Sequence, residues 1–255
     1  MMEHGTTHAL ILGGTQGLGL AIARKLKAEG CTKLVITGRD SKKGSAVAAE
    51  LDASFMATDL GDTVATVATV DHAADQLGRI DALVVAGALT DRGSVLDTTP
   101  DLWDRMMIAN ARTPFFALQR VAQRAISEGH SASVVNILSM VVHCGQSFLA
   151  PYSASKATLA NVTRNAAQAL RTHQIRVNGI NCGWMDTPGE DATQRRHHGA
   201  DDDWLVRAEA AQPFGMLVKP AHVAGLASYM LSKSSGVMTG ALVDFDQNIA
   251  GAYPE

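Results

Sequence analysis

Short, near-continuous apolar runs recur along this chain, separated by stretches of helical length, and that alternation constrains the fold more than any other feature. The runs are His8–Leu12, Lys33–Thr37, Ser54–Ala57, Ala82–Ala86, Ser133–Ser139, Arg176–Cys182 and Ala241–Phe245. Runs this short and this apolar read as strands buried on both faces. Between them lie the helical patterns Leu18–Glu29, Lys42–Leu51, Val64–Leu77, Pro100–Glu128, Ser153–Thr172 and His222–Leu231. Strand–helix alternation predicts an α/β fold: a doubly wound, seven-stranded parallel sheet with right-handed crossovers and helices on both faces. The 255 residues suit one large domain, 1–255, better than two small ones. One stretch, Asp186–Phe214, carries charges of both signs and no hydrophobic period. It follows a strand, so it belongs at the carboxyl edge of the sheet, and it reads as a substrate lid over 186–214.

Composition removes several function classes. Net charge is −3, which offers no basic field for nucleic acid or an anionic membrane. No apolar run approaches the ~18 residues of a membrane span. The opening MMEHGTTH lacks a basic region and an apolar signal core, so a cytoplasmic protein is expected. Cys31, Cys144 and Cys182 are odd in number and widely spaced, which favours free thiols over a disulfide framework. No zinc spacing is present, and His197-His198 lies in a polar run that reads as a solvated loop, so no metal is expected.

The first run ends in LGGTQGLG, placing Gly13, Gly17 and Gly19 between a strand and a helix. Glycines there permit a tight turn and let backbone N–H groups approach a pyrophosphate at the helix N-terminus. The second run ends in VITGRD. An acidic residue about 20 positions beyond the glycines would bond the ribose 2′-hydroxyl of NAD. Gly38 stands there instead, followed by Arg39. A small neutral residue beside a guanidinium leaves room and countercharge for a 2′-phosphate, which argues for NADP(H). NAD stays the alternative: Asp40 is close enough to present a carboxylate, and Arg39 can be a turn residue or stack on adenine. Asp59, in ATDLGD, suits either the adenine edge or a helix N-cap.

Tyr152 and Lys156 stand four apart at the start of a helical pattern, on one face and a turn from each other. An ammonium beside a phenol favours the phenolate, so the spacing predicts a Tyr pKa lowered from about 10. A phenol so tuned can exchange a proton with an alcohol or ketone oxygen. Ser139, at the end of a strand thirteen residues earlier, can bond the same oxygen.

With these residues in place, the chain resembles the short-chain dehydrogenase/reductase family over nearly its whole length. Gly13-x-x-x-Gly17-x-Gly19, Asp59, Asn110, Ser139, Tyr152-x-x-x-Lys156 and the stretch from Asn178 to Thr187 carry the likeness. The resemblance implies a Rossmann fold and hydride transfer between a nicotinamide and a secondary alcohol or ketone. By resemblance Ser139, Tyr152 and Lys156 form the catalytic triad and Asn110 is the fourth member. Asn110 would bind a water through its local backbone and link Lys156 to solvent; read from the residues alone, it is a satisfied polar group inside a long helix. The cofactor would lie against Gly13, Thr15, Gln16, Gly17, Leu18, Gly19, Gly38, Arg39, Asp59, Leu60, Ala86, Gly87, Tyr152, Lys156, Gly183, Met185 and Thr187. Thr187 matches the Thr that bonds the nicotinamide carboxamide or a phosphate.

Several positions depart from the family pattern. Leu12 replaces a Thr, Val84-Val85-Ala86-Gly87 replaces Asn-Asn-Ala-Gly, and Cys182-Gly183 replaces Pro-Gly. TGALVDFDQN stands where a strand followed by Asp-Gly-Gly is usual. Cys182 reads as packing, since no base or cation is placed beside it in sequence. An idle dinucleotide-binding regulator on the same fold is the alternative function these departures leave open.

The substrate pocket is expected among Met140, His143, Gln146, Trp184 and Trp204. Met140 and Trp204 can equally be core, and His143 and Gln146 exposed loop. The Ala-rich pattern Ser153–Thr172 has more apolar surface than one sheet face can cover. By resemblance it and Pro100–Glu128 build a homodimer, with the C-terminal edge completing a tetramer.

Overall fold

The structure is a computed structural model and describes residues 3–252. Seven parallel strands form one sheet in the order β3-β2-β1-β4-β5-β6-β7. They are β1 (His8–Leu12), β2 (Lys33–Gly38), β3 (Ser54–Ala57), β4 (Ala82–Val85), β5 (Ala132–Ser139), β6 (Ile175–Cys182) and β7 (Leu242–Phe245). Successive strand residues face opposite layers. Ala9 and Ile11 pack with Ile22 and Leu26 of α1 (Gly17–Ala28), Val47 and Leu51 of α2 (Ser41–Leu51), and Val223 and Met230 of α9 (Pro220–Leu231). Leu10 and Leu12 face the other way. They meet Val70 and Leu77 of α3 (Thr63–Leu77), Leu118 and Val121 of α5 (Thr113–Glu128), and Ala167 of α6 (Ala150–Leu170). Because both neighbours of each inner strand are apolar layers, the runs need no polar face, as their composition indicates.

The chain turns one way from β1 to β2 and β3, and the other way through β4 to β7. A crevice therefore opens at the carboxyl ends of β1 and β4, where ligands bind in doubly wound sheets.

Two expected elements differ. The single helix Pro100–Glu128 is interrupted: α4 (Pro100–Met107) passes into a π-helical turn at Ile108–Arg112 before α5 begins. The π-turn centres on Asn110, whose side chain is claimed by groups outside the helix. The segment 186–214 is not structureless. It holds α7 (Pro188–His198) and α8 (Trp204–Ala210). Thr187 caps α7 by accepting from the Glu190 N–H at 3.0 Å, Pro188 follows at the first helical position, and Gly199 ends it at φ 61°. Acidic residues occupy its first turn and basic ones its last, matching the helix dipole. Its exposed faces carry no apolar stripe, which is why periodicity misses it. Thr-Pro-x-Glu is a start signal legible in sequence.

Candidate active site

The glycine turn meets the requirement for a backbone cradle. Gly13 has φ +85°, and a Cβ on it would lie 2.4 Å from the Gly87 nitrogen. A Cβ on Gly19 would lie 2.0 Å from the Gly13 carbonyl oxygen. Only glycines allow β1, the start of α1 and the end of β4 to approach this closely. The turn is also tied to β2: Gly14 N–H donates to the Thr37 carbonyl at 2.9 Å and Gly13 N–H to Thr37 Oγ1 at 3.2 Å. Gln16, before the first turn of α1, is exposed and makes no cap bond, so the N–H groups behind it are open to an anion. Leu18 points into the core, leaving only its backbone to face a ligand. The turn thus fits a pyrophosphate.

At the adjoining corner Thr15 packs against Gly38, and Arg39 is exposed with no ion-pair partner among the described residues. The Asp40 carboxylate is spent: it caps α2 by accepting from the Lys43 N–H. Lys43 Nζ in turn donates to Gln16 Oε1 at 2.5 Å, setting a second cation beside the glycine turn. Asp59 is exposed at the end of β3 and accepts from Gly61 N–H at 2.9 Å. The N-cap of α3 is Asp62 rather than Asp59. Leu60 packs on Gly87, while both Ala86 and Gly87 donate N–H groups to the Leu12 carbonyl. Those two bonds tie β4 to β1 without the missing side-chain amide.

Ser139 ends β5, and Tyr152 and Lys156 lie in the first two turns of α6. The structure brings the three together, but their electrostatics differ from the expectation. Lys156 is 3% exposed and its Nζ donates to the Ile137 carbonyl at 2.8 Å, reaching past Tyr152 to β5. The ammonium sits 5.8 Å from the Tyr152 ring centroid. The Tyr152 pKa is accordingly not lowered: burial pushes it up to about 12, against hydrogen bonds from Ser139 and Thr90 that pull it down. Burial likewise takes the Lys156 ammonium down to about 8. Both charged forms lose water, and desolvation outweighs their weak mutual attraction here.

Asn110 is 1% exposed. Its Oδ1 accepts from Leu89 N–H and its Nδ2 donates to the Leu89 carbonyl, each at 2.8 Å, and to Ser155 Oγ at 3.0 Å. The side chain is satisfied, as a reading of the residue alone predicts. Its partners give that satisfaction a purpose: it fixes the loop after β4 to the helix bearing Tyr152. The loop's next residue is Thr90, whose hydroxyl joins Ser139 in favouring the ionised phenol. Thr90 is absent from the expected set, although a hydroxyl just beyond the carboxyl end of a central strand is the signal that finds it.

Cys182 is buried beside this group and its thiol is pushed up to about 12 by burial, so it packs rather than reacts. Gly183 makes room for Asp246, whose Oδ1 lies 2.1 Å from where a Cβ would be. Met185 bridges to Val218, and Thr187 lies against Gly17. Thr187 turns its methyl and Cβ toward Gly17, while its hydroxyl accepts from the Glu190 N–H to cap α7 and keeps its proton for donation.

Of the expected pocket residues, Met140 is half-buried next to Ser139, and Gln146 is exposed in the loop before α6. His143 is held outward by Asp244 of β7, Nε2 to Oδ1 2.8 Å. Trp204 belongs to a small core with Ala208 and Leu217 rather than to an open pocket. Trp184 is 40% exposed, stacks on Trp204 with centroids 6.3 Å apart, and donates to Glu190 Oε1 at 2.8 Å.

Residues 13–247 match the family model described as enoyl-(acyl carrier protein) reductase. The chain is 30% identical over 239 residues to the NADP-dependent (R)-specific alcohol dehydrogenase of Lentilactobacillus kefiri, covering 91% of this chain and 92% of that protein. It is 30% identical over 242 residues to the cis-4-hydroxycyclohexanecarboxylate dehydrogenase of Sinomonas cyclohexanicum, covering 93% and 94%. Its fold superposes with a TM-score of 0.86 on a crystal structure described as a short-chain alcohol dehydrogenase of Sinorhizobium meliloti 1021, at 26% identity, covering 95% and 96%.

Proposed function

We propose that this chain, which belongs to the short-chain dehydrogenase/reductase family, interconverts a secondary alcohol and a ketone with NADP(H), using Tyr152 as the proton donor and acceptor. It is an oxidoreductase of the short-chain alcohol dehydrogenase type. The observation that carries the proposal is the meeting of Ser139, at the end of β5, with Tyr152 and Lys156, a turn apart at the start of α6, on the sheet edge that also bears the glycine turn. When bound, the nicotinamide supplies or accepts the hydride. Ser139 and Thr90 hold the substrate oxygen against the phenol. Tyr152 gives a proton to a carbonyl oxygen as the carbon gains hydride, and takes it back from the carbinol in the reverse direction, so charge balances either way. Lys156 replenishes the proton and bonds the nicotinamide ribose, and Asn110 positions the loop that carries Thr90. Thr187 donates to the carboxamide or a phosphate. The segment 186–214 closes the site as a lid.

NADP(H) is favoured over NAD(H) by Arg39, which meets no carboxylate among the described residues, by Lys43 on Gln16, and by the engagement of Asp40 as a cap. The relatives' names agree on alcohol oxidation and one of them on NADP. A homo-oligomer is supported by exposed apolar side chains beside the α4–α5 junction, Trp103 and Phe115, each about 40% exposed.

The test is steady-state turnover of a panel of ketones and secondary alcohols with each nicotinamide, for the wild type and Tyr152→Phe. The variant is expected to lose at least about 100-fold in rate, the scale of a positioned acid/base, while its cofactor Kd stays within about twofold. Full activity in the variant on a confirmed substrate would overturn the assignment. Arg39→Ala should weaken NADPH far more than NADH in direct titration; equal losses would remove the phosphate role.

A further inference from the structure

We infer that Arg92 and His198 form a latch that holds the lid 186–214 closed, and that a proton on His198 releases it. The inference rests on the reading of that segment as a lid and adds its control. The base of the segment is pinned. Val218 N–H donates to the Trp184 carbonyl at 2.9 Å, Asp186 N–H to the Val218 carbonyl at 3.0 Å, and Lys219 Nζ to Asp186 Oδ2 at 2.8 Å. Above the base, Trp204 of α8 donates to Asp191 of α7 at 2.7 Å, so the two lid helices are joined to each other. Only at its carboxyl end does α7 make a side-chain hydrogen bond outside 184–204 among the described residues. There Arg92, in the loop after β4, donates from Nε and Nη2 to His198 Nε2 at 3.1 and 2.9 Å. Phe148, in the loop after β5, completes the contact. The Arg92 guanidinium lies 5.3 Å from its ring centroid, and the His198 ring meets it edge-on at 5.6 Å. β4, β5 and β6 are neighbours in the sheet, so the latch joins the loops leaving three successive strands, the middle one bearing Ser139. The β4 and β5 loops are stitched together through backbone, Gly93 N–H to the Phe148 carbonyl at 3.0 Å and Ala150 N–H to the Gly93 carbonyl at 2.9 Å. They are the fixed side of the latch, and α7 is the moving side.

The bond depends on one lone pair. A neutral imidazole has a single acceptor nitrogen, and both guanidinium donors share it. Protonated, His198 has no acceptor and sets a second cation beside the first. Neither side chain has a carboxylate within 4.0 Å among the described residues to offset the repulsion. The other charged groups at this contact are already engaged or point away. Asp91 accepts from the Arg92 main-chain N–H at 2.9 Å and faces His197 Nε2 at 3.5 Å. Arg195 is paired with Asp191 and Asp202, and Arg196 is exposed. A proton on His197 would tighten its pair with Asp91, but a partly exposed ion pair weighs little against the loss of a guanidinium bond. Closure is also marginal. α7 buries no residue, so little packing holds it down. Arg92 Nη1 is sealed from solvent and has no hydrogen-bond partner among the described residues, which makes the shut latch costly to keep.

The test is amide hydrogen exchange of the full chain from about pH 8 to about pH 5, the range in which imidazole changes charge. Rates are expressed as protection factors, so that the intrinsic pH dependence of exchange drops out. Protection across residues 188–198 is expected to fall about 10-fold over that range, the scale of one lost charge-assisted hydrogen bond, while β4 and β5 keep theirs. His198→Gln retains an acceptor that does not titrate, so its lid should stay protected at both ends of the range. Arg92→Met keeps the stem on Phe148 without the donors, and should be as weakly protected at the upper pH as the wild type is at the lower. His197→Gln should show the wild-type fall. Protection of 188–198 that is indifferent to pH in the wild type would overturn the inference. So would a fall that survives His198→Gln or vanishes in His197→Gln. A fall shared by β4 and β5 would also overturn it, because the whole fold rather than the lid would be loosening. The measurement needs neither nicotinamide nor substrate. If no alcohol or ketone is turned over, the dehydrogenase reading fails and exchange still decides the latch; turnover with pH-indifferent exchange fails the latch alone.

Discussion

Tyr152 and Lys156 show how burial and neighbouring charge compete at a single position. With the phenol pushed up to about 12, Tyr152 is protonated at neutral pH, the state that donates to a ketone oxygen. Alcohol oxidation needs the opposite state. The ratio of oxidation to reduction rates is therefore expected to rise steadily with pH from 7 to 10, measured at saturating cofactor in both directions. A flat ratio would mean that proton transfer does not pass through this phenol. Lys156 carries a stability consequence of its own. Its pKa falls from 10.5 to about 8 on burial, so between those values the unfolded chain binds more protons than the folded one. Stability then rises with pH across that window, and below pH 8 the buried charge costs roughly 3 kcal/mol. Loss of the bond to Ile137 returns about 1 kcal/mol of that. Lys156→Met should thus melt several degrees higher than the wild type at pH 7, a gap that closes near pH 10.5, while turnover is lost. A variant less stable than the wild type at pH 7 would show that the ammonium is not strained.

At the scale of elements, what was legible in sequence divides by the kind of signal each element leaves. The seven strands were readable because burial on two faces forces an unbroken apolar run, and their ends moved by no more than a residue. Helix α7 was not, because it buries no residue and so leaves no apolar period in the sequence. The π-turn at Asn110 was hidden for another reason. It depends on partners at Leu89 and Ser155, one 21 and the other 45 residues away, which no local pattern records. The clamp and Thr90 follow from that distant contact, so the candidate site was legible at Ser139, Tyr152 and Lys156 but not at the loop facing them. An element held by one cap makes a sharp test. Thr187→Ala removes the acceptor for the Glu190 N–H and should cost about 1 kcal/mol. Because α7 has so little packing, the loss should appear locally, as hydrogen exchange several-fold faster across residues 188–198 and unchanged in β4 and β5. Thr187→Ser should restore protection. Uniform exchange in all three proteins would mean that α7 is held instead by side chains outside it, Arg92 bonded to His198 and Trp204 donating to Asp191.

Across the whole molecule, the carboxyl edge is where separately folded pieces of the sheet converge. The turn after β1, the corner after β2, the end of β4 and the start of α7 meet there through Thr37, Gly87 and Thr187, with few bonds joining all four. A dinucleotide lying along that edge would touch each of them, so its binding should stabilise the entire fold rather than one loop. At a hundredfold excess over Kd the gain is about 2.7 kcal/mol. For a chain of this size that raises the melting midpoint by about 5 to 10 °C. NADPH should reach this shift at a concentration where NADH gives much less, because Arg39 and Lys43 bracket the corner after β2. The double variant Arg39→Ala/Lys43→Ala should melt equally with either nucleotide while keeping the NADH shift. Equal shifts in the wild type would place no phosphate between those cations. Absence of any shift with both nucleotides would mean that the glycine turn, for all its close approach to β4, does not cradle a pyrophosphate.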